Sequence, residues 1–240
     1  MTVRIAMWSG PRNLSTAMMR SFGARADCAV WDEPFYAAYL AKTGNDHPMR
    51  AEILAAHETD PDKVAARCRG EAPGGKALFY QKHMTHHMLD GFDVSWMEET
   101  RSAFLIREPL YVAASYEVKW EEPTLAELGF ERQSELFRAE ADRLGHAPPV
   151  VDAAHIAQAP RQALEALCTA LGIAFDPNML SWAAGARPED GIWGAHWYNA
   201  VNASTGFAPA KAAPTLATDH ARRLADAARP FYAELKEFAL

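Results

Sequence analysis

Apolar positions along the chain fall into short runs. Residues 2 to 8 (TVRIAMW), 28 to 31 (CAVW), 77 to 81 (ALFYQ), 103 to 106 (AFLI) and 149 to 151 (PVV) are β-branched, aromatic or aliphatic, and each run predicts a buried strand. Segments able to form helices separate them, at 15 to 25, 47 to 57, 61 to 69, 84 to 90, 109 to 119, 123 to 144, 160 to 171, 176 to 183 and 215 to 238. Strands alternating with helices predict an α/β protein, a three-layer arrangement in which a parallel sheet is flanked by helices. The stretch from 123 to 144 carries Leu125, Leu128, Phe130, Leu136, Phe137 and Leu144 among many charges and reads as one amphipathic packing helix. Residues 185 to 214 have no period and are rich in glycine, proline and aromatics, which predicts a long loop.

Length and composition narrow the class. At about 150 residues per domain, 240 residues make a single domain, residues 1 to 240. Hydrophobic residues at 49% and charged residues at 23% exclude a disordered or fibrous chain, and no apolar run approaches the ~18 residues of a membrane span. With 24 Lys and Arg against 31 Asp and Glu, the net charge of -7 argues against a nucleic-acid-binding surface but leaves room for a local anion pocket. Cys28, Cys68 and Cys168 are far apart, with no paired spacing for zinc or a redox centre, and are expected to be reduced thiols. Glycine, proline and arginine appear by residue 12, too early for a signal peptide, so a cytoplasmic protein is expected.

Two segments carry chemistry. SGPRNLST, residues 9 to 16, is a turn between the first strand and the first helix, where unpaired backbone N–H groups and the helix dipole attract an anion. Arg12 adds a positive charge, and Ser15 and Thr16 add hydroxyl donors. The loop lacks the GK[ST] ending of a nucleoside-triphosphatase loop, because Leu14 and Ser15 precede Thr16. In AFLIREPLYVAASY, Arg107 ends the fourth strand and Ser115 follows eight residues later in the next helix. An arginine at that end of a strand faces the crevice where open α/β sheets bind ligands.

Together the two segments resemble the sulfotransferase superfamily, in particular its bacterial branch, whose fold is P-loop-like and whose sulfuryl donor is 3′-phosphoadenosine 5′-phosphosulfate. PRNLST, Pro11 to Thr16, is similar to the family's PKSGTTW or PRSGST loop, with Leu14 in place of its glycine. The resemblance implies that Pro11, Arg12, Asn13, Leu14, Ser15 and Thr16 hold the 5′-phosphosulfate and that Arg107 and Ser115 hold the 3′-phosphate. It rests on residues 3 to 120 and is only topological beyond them. A later phosphate-binding loop has its candidate counterpart at Ser204, Thr205 and Gly206, with Lys211 nearby.

The activity so implied is sulfuryl transfer to a hydroxyl or amine acceptor without a metal, because a sulfuryl group carries less charge than a phosphoryl group and Arg12 with helix N–H groups can stabilise the leaving phosphate. The partners are then a small-molecule donor and an unidentified acceptor. Two residues are candidate bases. Glu33, in WDEPF, resembles the glutamate before proline of the bacterial and tyrosyl-protein enzymes; His83, in QKHM, resembles the histidine of the cytosolic branch, with Lys82 assisting the leaving group. Glu33 is the more particular match. His83, His86 and His87 would share a helical face with Asp90, a weaker pointer to a metal. Trp193, His196, Trp197, Tyr198 and Phe207 would cover the nucleotide, line an acceptor pocket or simply pack. The competing readings are a nucleotide kinase or triphosphatase, and a degenerate member that binds a phosphorylated ligand without chemistry.

Overall fold

The computed structural model describes residues 2–118, 120, 122–209, 214 and 217–240. Five strands, β1 (Val3–Ser9), β2 (Cys28–Asp32), β3 (Leu78–Met84), β4 (Arg101–Ile106) and β5 (Val150–Asp152), form one sheet in the order β2-β3-β1-β4-β5. All neighbouring pairs are parallel. The sequence-predicted strands are all present, each extended or shifted by a residue or more. Side chains alternate across the sheet, so each strand feeds two apolar layers. Ile5, Met7, Tyr80 and Leu105 pack on one face with Met18, Met19 and Phe22 of α1 (Ser15–Gly23). Ala6, Trp8, Phe104 and Ile106 pack on the other.

Helices cover both faces. After α1 come α2 (Tyr36–Thr43), α3 (Arg50–Ala56), α4 (Pro61–Cys68), α5 (Pro109–Glu117), α6 (Leu125–Leu128), α7 (Phe130–Leu144), α8 (Ala153–Gln158) and α9 (Pro160–Ala170). Two four-residue helices, α10 (Gly194–Trp197) and α11 (Asn199–Asn202), precede the long α12 (Asp219–Lys236). Among the described residues no helix is long and apolar enough to cross a membrane. The three cysteines are buried and free.

Five expectations change, the first being that 176 to 183, expected as a helix, holds one 3₁₀ turn at Pro177–Leu180. The helix expected from 123 to 144 is two helices, because Gly129 takes φ 72° and a Cβ there would lie 2.5 Å from Thr85 Oγ1. The helix expected from 84 to 90 is the end of β3 followed by one 3₁₀ turn at Thr85–His87, so its histidines share no helical face. The stretch 185 to 214 is not a featureless loop, since α10 and α11 lie in it. α2, α8 and the 3₁₀ turn Ser95–Glu99 are elements the pattern did not reveal.

The strand order reverses at β1, whose neighbours are β3 and β4. In an open parallel sheet that switch point opens a crevice at the carboxyl ends of the strands. Ser9 pairs with Met84 on one side and Leu105 on the other, which brings the segments after β1, β3 and β4 to one edge. Gly10 fits there because a Cβ would meet the Leu128 carbonyl oxygen at 2.5 Å. Gln133 of α7 donates to the carbonyls of Trp8 at 3.2 Å and Leu105 at 2.9 Å, tying the helical layer to this edge.

Candidate active site

Two polar clusters stand on the carboxyl edge of the sheet. The first is built on the loop between β1 and α1. Arg12 and Leu14 both have left-handed backbone, φ 61° and 65°, and Leu14 caps α1 without a side-chain hydrogen bond. The first N–H groups of α1 therefore keep no intrahelical partner. Leu14 thus adopts the conformation that favours glycine, at a cost of about 1–2 kcal/mol. Asn13 is buried and fixes the loop by donating Nδ2 to the Leu105 carbonyl at 3.2 Å.

Arg12, Arg107 and Ser115 meet. Arg12 Nε donates to Ser115 Oγ at 3.0 Å, and Arg107 donates to the backbone carbonyl of Arg12 at 2.6 Å. Neither guanidinium has an ion-pair partner among the described residues. Burial lowers the pKa of each, and the positive charge of Arg12 lowers that of Arg107 further. Two adjacent, partly desolvated cations with no carboxylate in ion-pair contact among the described residues form an arrangement that attracts an anion. Ser15 opens α1 beside them and Thr16 follows it.

The second cluster stands on β3, the neighbour of β1, and on the end of β2 beyond it. Lys82 of β3 is fully buried and uses all three Nζ protons: on Asp32 Oδ1 at 2.9 Å, Glu33 Oε1 at 2.6 Å and the Tyr198 hydroxyl at 2.7 Å. The Tyr198 hydroxyl lies 2.7 Å from Asp32 Oδ2 and 3.3 Å from Glu33 Oε1, and accepts from Trp193 Nε1 at 3.1 Å. The Gly191 N–H donates to Asp32 Oδ2 at 3.1 Å. Glu33 itself has φ 41° and is followed by Pro34.

Burial raises the pKa of Glu33, with Asp32 adding to the rise and Lys82 opposing it. For Lys82, burial acts downward and the two carboxylates outweigh it, so the ammonium is retained. Burial and the same carboxylates hold Tyr198 well above its ordinary range, as a protonated donor. Glu33 Oε2 has no partner among the described residues. The Glu33 side chain lines a cavity of about 220 Å³ together with Trp31, Ala37, Val64 and Trp193.

The other expected residues lie apart from these clusters. His83 alternates to the sheet face opposite Lys82, where it stacks on Trp8 at 4.6 Å and nears Trp96 at 4.9 Å. Its polar partner is Gln81, at 3.2 Å, and burial pushes its pKa down to about 3. Ser204 donates to the Val201 carbonyl and accepts from Trp182 Nε1, the Thr205 carbonyl accepts from the Trp182 N–H, and Gly206 bridges to Ser181. None of the three touches Arg12, Arg107 or Ser115. Lys211 lies outside the described residues.

Sequence reading missed two members. Asp32, next to Glu33 in WDEPF, has no part in the sulfotransferase reading of the sequence, only in the competing kinase one. Tyr198 was grouped with aromatics that cover or line a pocket, because a contact 116 residues from Lys82 leaves no local signal. The tie that brings Tyr198 in runs through α1: Arg20 forms a buried two-pronged ion pair with Asp190, one arm at 2.7 Å, and donates to Asn202 at 3.1 Å.

A family profile described as a sulfotransferase domain matches residues 3–239. The likeness thus extends far past residue 120, where the motif resemblance stopped. The chain is 39% identical over 210 residues to branched-chain-amino-acid aminotransferase-like protein 1 of Arabidopsis thaliana, covering 88% of this chain and 37% of that protein. It is 38% identical over 203 residues to the like protein 2 of the same plant, covering 85% and 36%. The chain therefore spans little more than a third of those relatives. Among solved structures, the sulfotransferase domain from the curacin biosynthetic pathway superposes with a TM-score of 0.50 at 13% identity, over 95% of this chain and 97% of that one. At that identity the match concerns the fold. The parallel sheet, the loop after β1 and the profile spanning nearly its whole length agree, and the chain belongs to the sulfotransferase domain family.

Proposed function

We propose that the protein transfers a sulfuryl group from 3′-phosphoadenosine 5′-phosphosulfate to a hydroxyl or amine acceptor, with Glu33 as the base. The observation that carries this reading is the pair Arg12 and Arg107, two adjacent cations with no ion-pair partner among the described residues, at the edge that also carries a buried carboxylate. Arg12, the N–H groups of α1, Ser15 and Thr16 receive the phosphosulfate; Arg107 and Ser115 receive the 3′-phosphate. The acceptor oxygen attacks sulfur in line, and its proton passes to Glu33. The bond between sulfur and the bridging oxygen breaks, and that oxygen leaves on adenosine 3′,5′-bisphosphate. Arg12 stabilises the leaving phosphate, so the step needs no metal.

Lys82 has no donor left for the leaving group and is assigned to holding Glu33 instead. His83 is enclosed by Trp8, Phe35 and Trp96 and takes no part. The test is calorimetric titration with adenosine 3′,5′-bisphosphate beside ATP with magnesium, on the native chain and on Arg107→Ala. Micromolar binding of the bisphosphate, weakened at least tenfold by the substitution, supports the reading. Preference for ATP with magnesium overturns it in favour of a kinase or triphosphatase, and no binding of either overturns both.

A further inference from the structure

The cavity beside Glu33 carries a second chemical instruction. Its volume of about 220 Å³ holds on the order of seven waters at ~30 Å³ each, so one small molecule fills it. Trp193 supplies a flat apolar wall, beside Ala37 and Val64. Lys63 and Arg67, one turn apart on α4, bring positive charge to the lining. The Lys63 charge is answered, since its ammonium lies 3.8 Å from both Glu58 and Asp60. His57 adds none, because burial lowers its pKa.

Arg67 differs. Its guanidinium lies over the Trp31 ring, Cζ 4.1 Å from the centroid, and it has no ion-pair or hydrogen-bond partner among the described residues. Stacking covers one face of the guanidinium and leaves the in-plane N–H fork free for a planar anion. Trp31 lies in β2 and Glu33 just past its end, and both line this cavity. A guanidinium over Trp31 and a carboxylate base two residues on therefore border the same small cavity.

We infer that the acceptor is a small hydroxy acid with a flat apolar body: its hydroxyl meets Glu33 and its carboxylate meets Arg67. This inference rests on the sulfotransferase reading for what happens at the hydroxyl, but the recognition of the acid does not. The opposite charges at the two ends set the orientation. The hydroxyl cannot exchange places with the carboxylate without bringing two carboxylates together at Glu33.

The experiment uses three phenols of matched size: 4-hydroxyphenylacetate, its neutral amide, and tyramine. Each is titrated by calorimetry into the native chain saturated with adenosine 3′,5′-bisphosphate, into the unliganded chain, and into Arg67→Ala. The acid is expected to bind at least tenfold more tightly than the amide or the amine, and Arg67→Ala is expected to remove that preference while leaving bisphosphate affinity within twofold. Equal binding of the three, preference for the amine, an acid preference that survives Arg67→Ala, or no binding of any at millimolar concentration overturns the inference. Failure of the bisphosphate to bind, with the acid preference intact on the unliganded chain, overturns the donor reading and leaves the anion site standing.

Discussion

The ammonium of Lys82 lies 2.6 Å from Glu33 Oε1, inside the protein and not in the solvent-filled crevice. A buried lysine is retained in charged form only when its attraction to nearby carboxylates exceeds the loss of hydration. Here Asp32 and Glu33 together supply that attraction, and Tyr198 takes the third proton. The arrangement pins one oxygen of Glu33 and leaves the other without a partner among the described residues.

Glu33→Gln keeps the shape of the site and removes the proton acceptor. Turnover is expected to fall about 10²- to 10⁴-fold, the usual worth of a general base, with bisphosphate affinity unchanged. In the native chain, because burial raises the pKa of Glu33, the acidic limb of kcat/KM is expected above the ordinary carboxylate value of 4.5. A profile that is flat down to that pH would remove Glu33 from the role. Full turnover by Glu33→Gln would do the same, and no turnover by any form with any acceptor would favour a member without chemistry.

Tyr198→Phe removes one hydroxyl that joins Asp32, Lys82, Glu33 and Trp193. The phenol helps hold Glu33 ionised, so its loss shifts the acidic limb to higher pH. We expect that shift together with a stability loss of about 1–3 kcal/mol in urea unfolding, since buried polar partners are left unmatched. A purely structural Tyr198 would lower stability and leave the pH profile in place.

Leu14 offers a test of the loop. At φ 65° a glycine is favoured over any residue with a Cβ. Leu14→Gly is therefore expected to be more stable than Leu14→Ala by about 1 kcal/mol, the reverse of the order within a helix. Thermal unfolding of the two variants measures the difference, and an Ala variant as stable as the Gly variant contradicts the strain.

Acid is expected to destabilise the fold before ordinary carboxylates titrate. His83 is buried with a pKa near 3 and His87 is held well below its ordinary 6.5, so both stay neutral when folded and protonate when unfolded. The unfolded chain then binds more protons, and stability falls as pH drops from about 6.5 toward 3, by up to ~1.4 kcal/mol per pH unit for each histidine. Glu33, with a raised pKa, acts in the opposite sense in the native chain and in a His83→Phe variant alike. The shallower pH slope of His83→Phe in urea unfolding isolates the His83 contribution; equal slopes would contradict it.

How much of this was legible from residues alone follows from the range of each interaction. The five apolar runs announce the five strands because burial on both faces demands uninterrupted hydrophobicity, and alternation with helices dictates parallel pairing. PRNLST reads as an anion loop because helix N–H groups, a cation and hydroxyls act locally. Arg107 and Ser115 were found through their spacing along one strand and one helix. The break at Gly129 was not legible, since the glycine answers to Thr85, 44 residues away, rather than to its own helix.

The two candidate bases illustrate the division. Residue pattern and resemblance left both Glu33 and His83 open, because both follow apolar strands toward the same edge of the sheet. Strand alternation then turns Lys82 and His83 to opposite faces, and packing surrounds His83 with indoles while Glu33 faces a cavity. Likewise nothing local joins Tyr198 to Asp32 or Arg67 to Trp31. Sequence carries what acts within a few residues: strand and helix periodicity, the charge of the first loop, the family it belongs to. The folded chain alone decides which titratable groups lose water and which stay open, because desolvation depends on everything packed around a group and not on its neighbours along the chain.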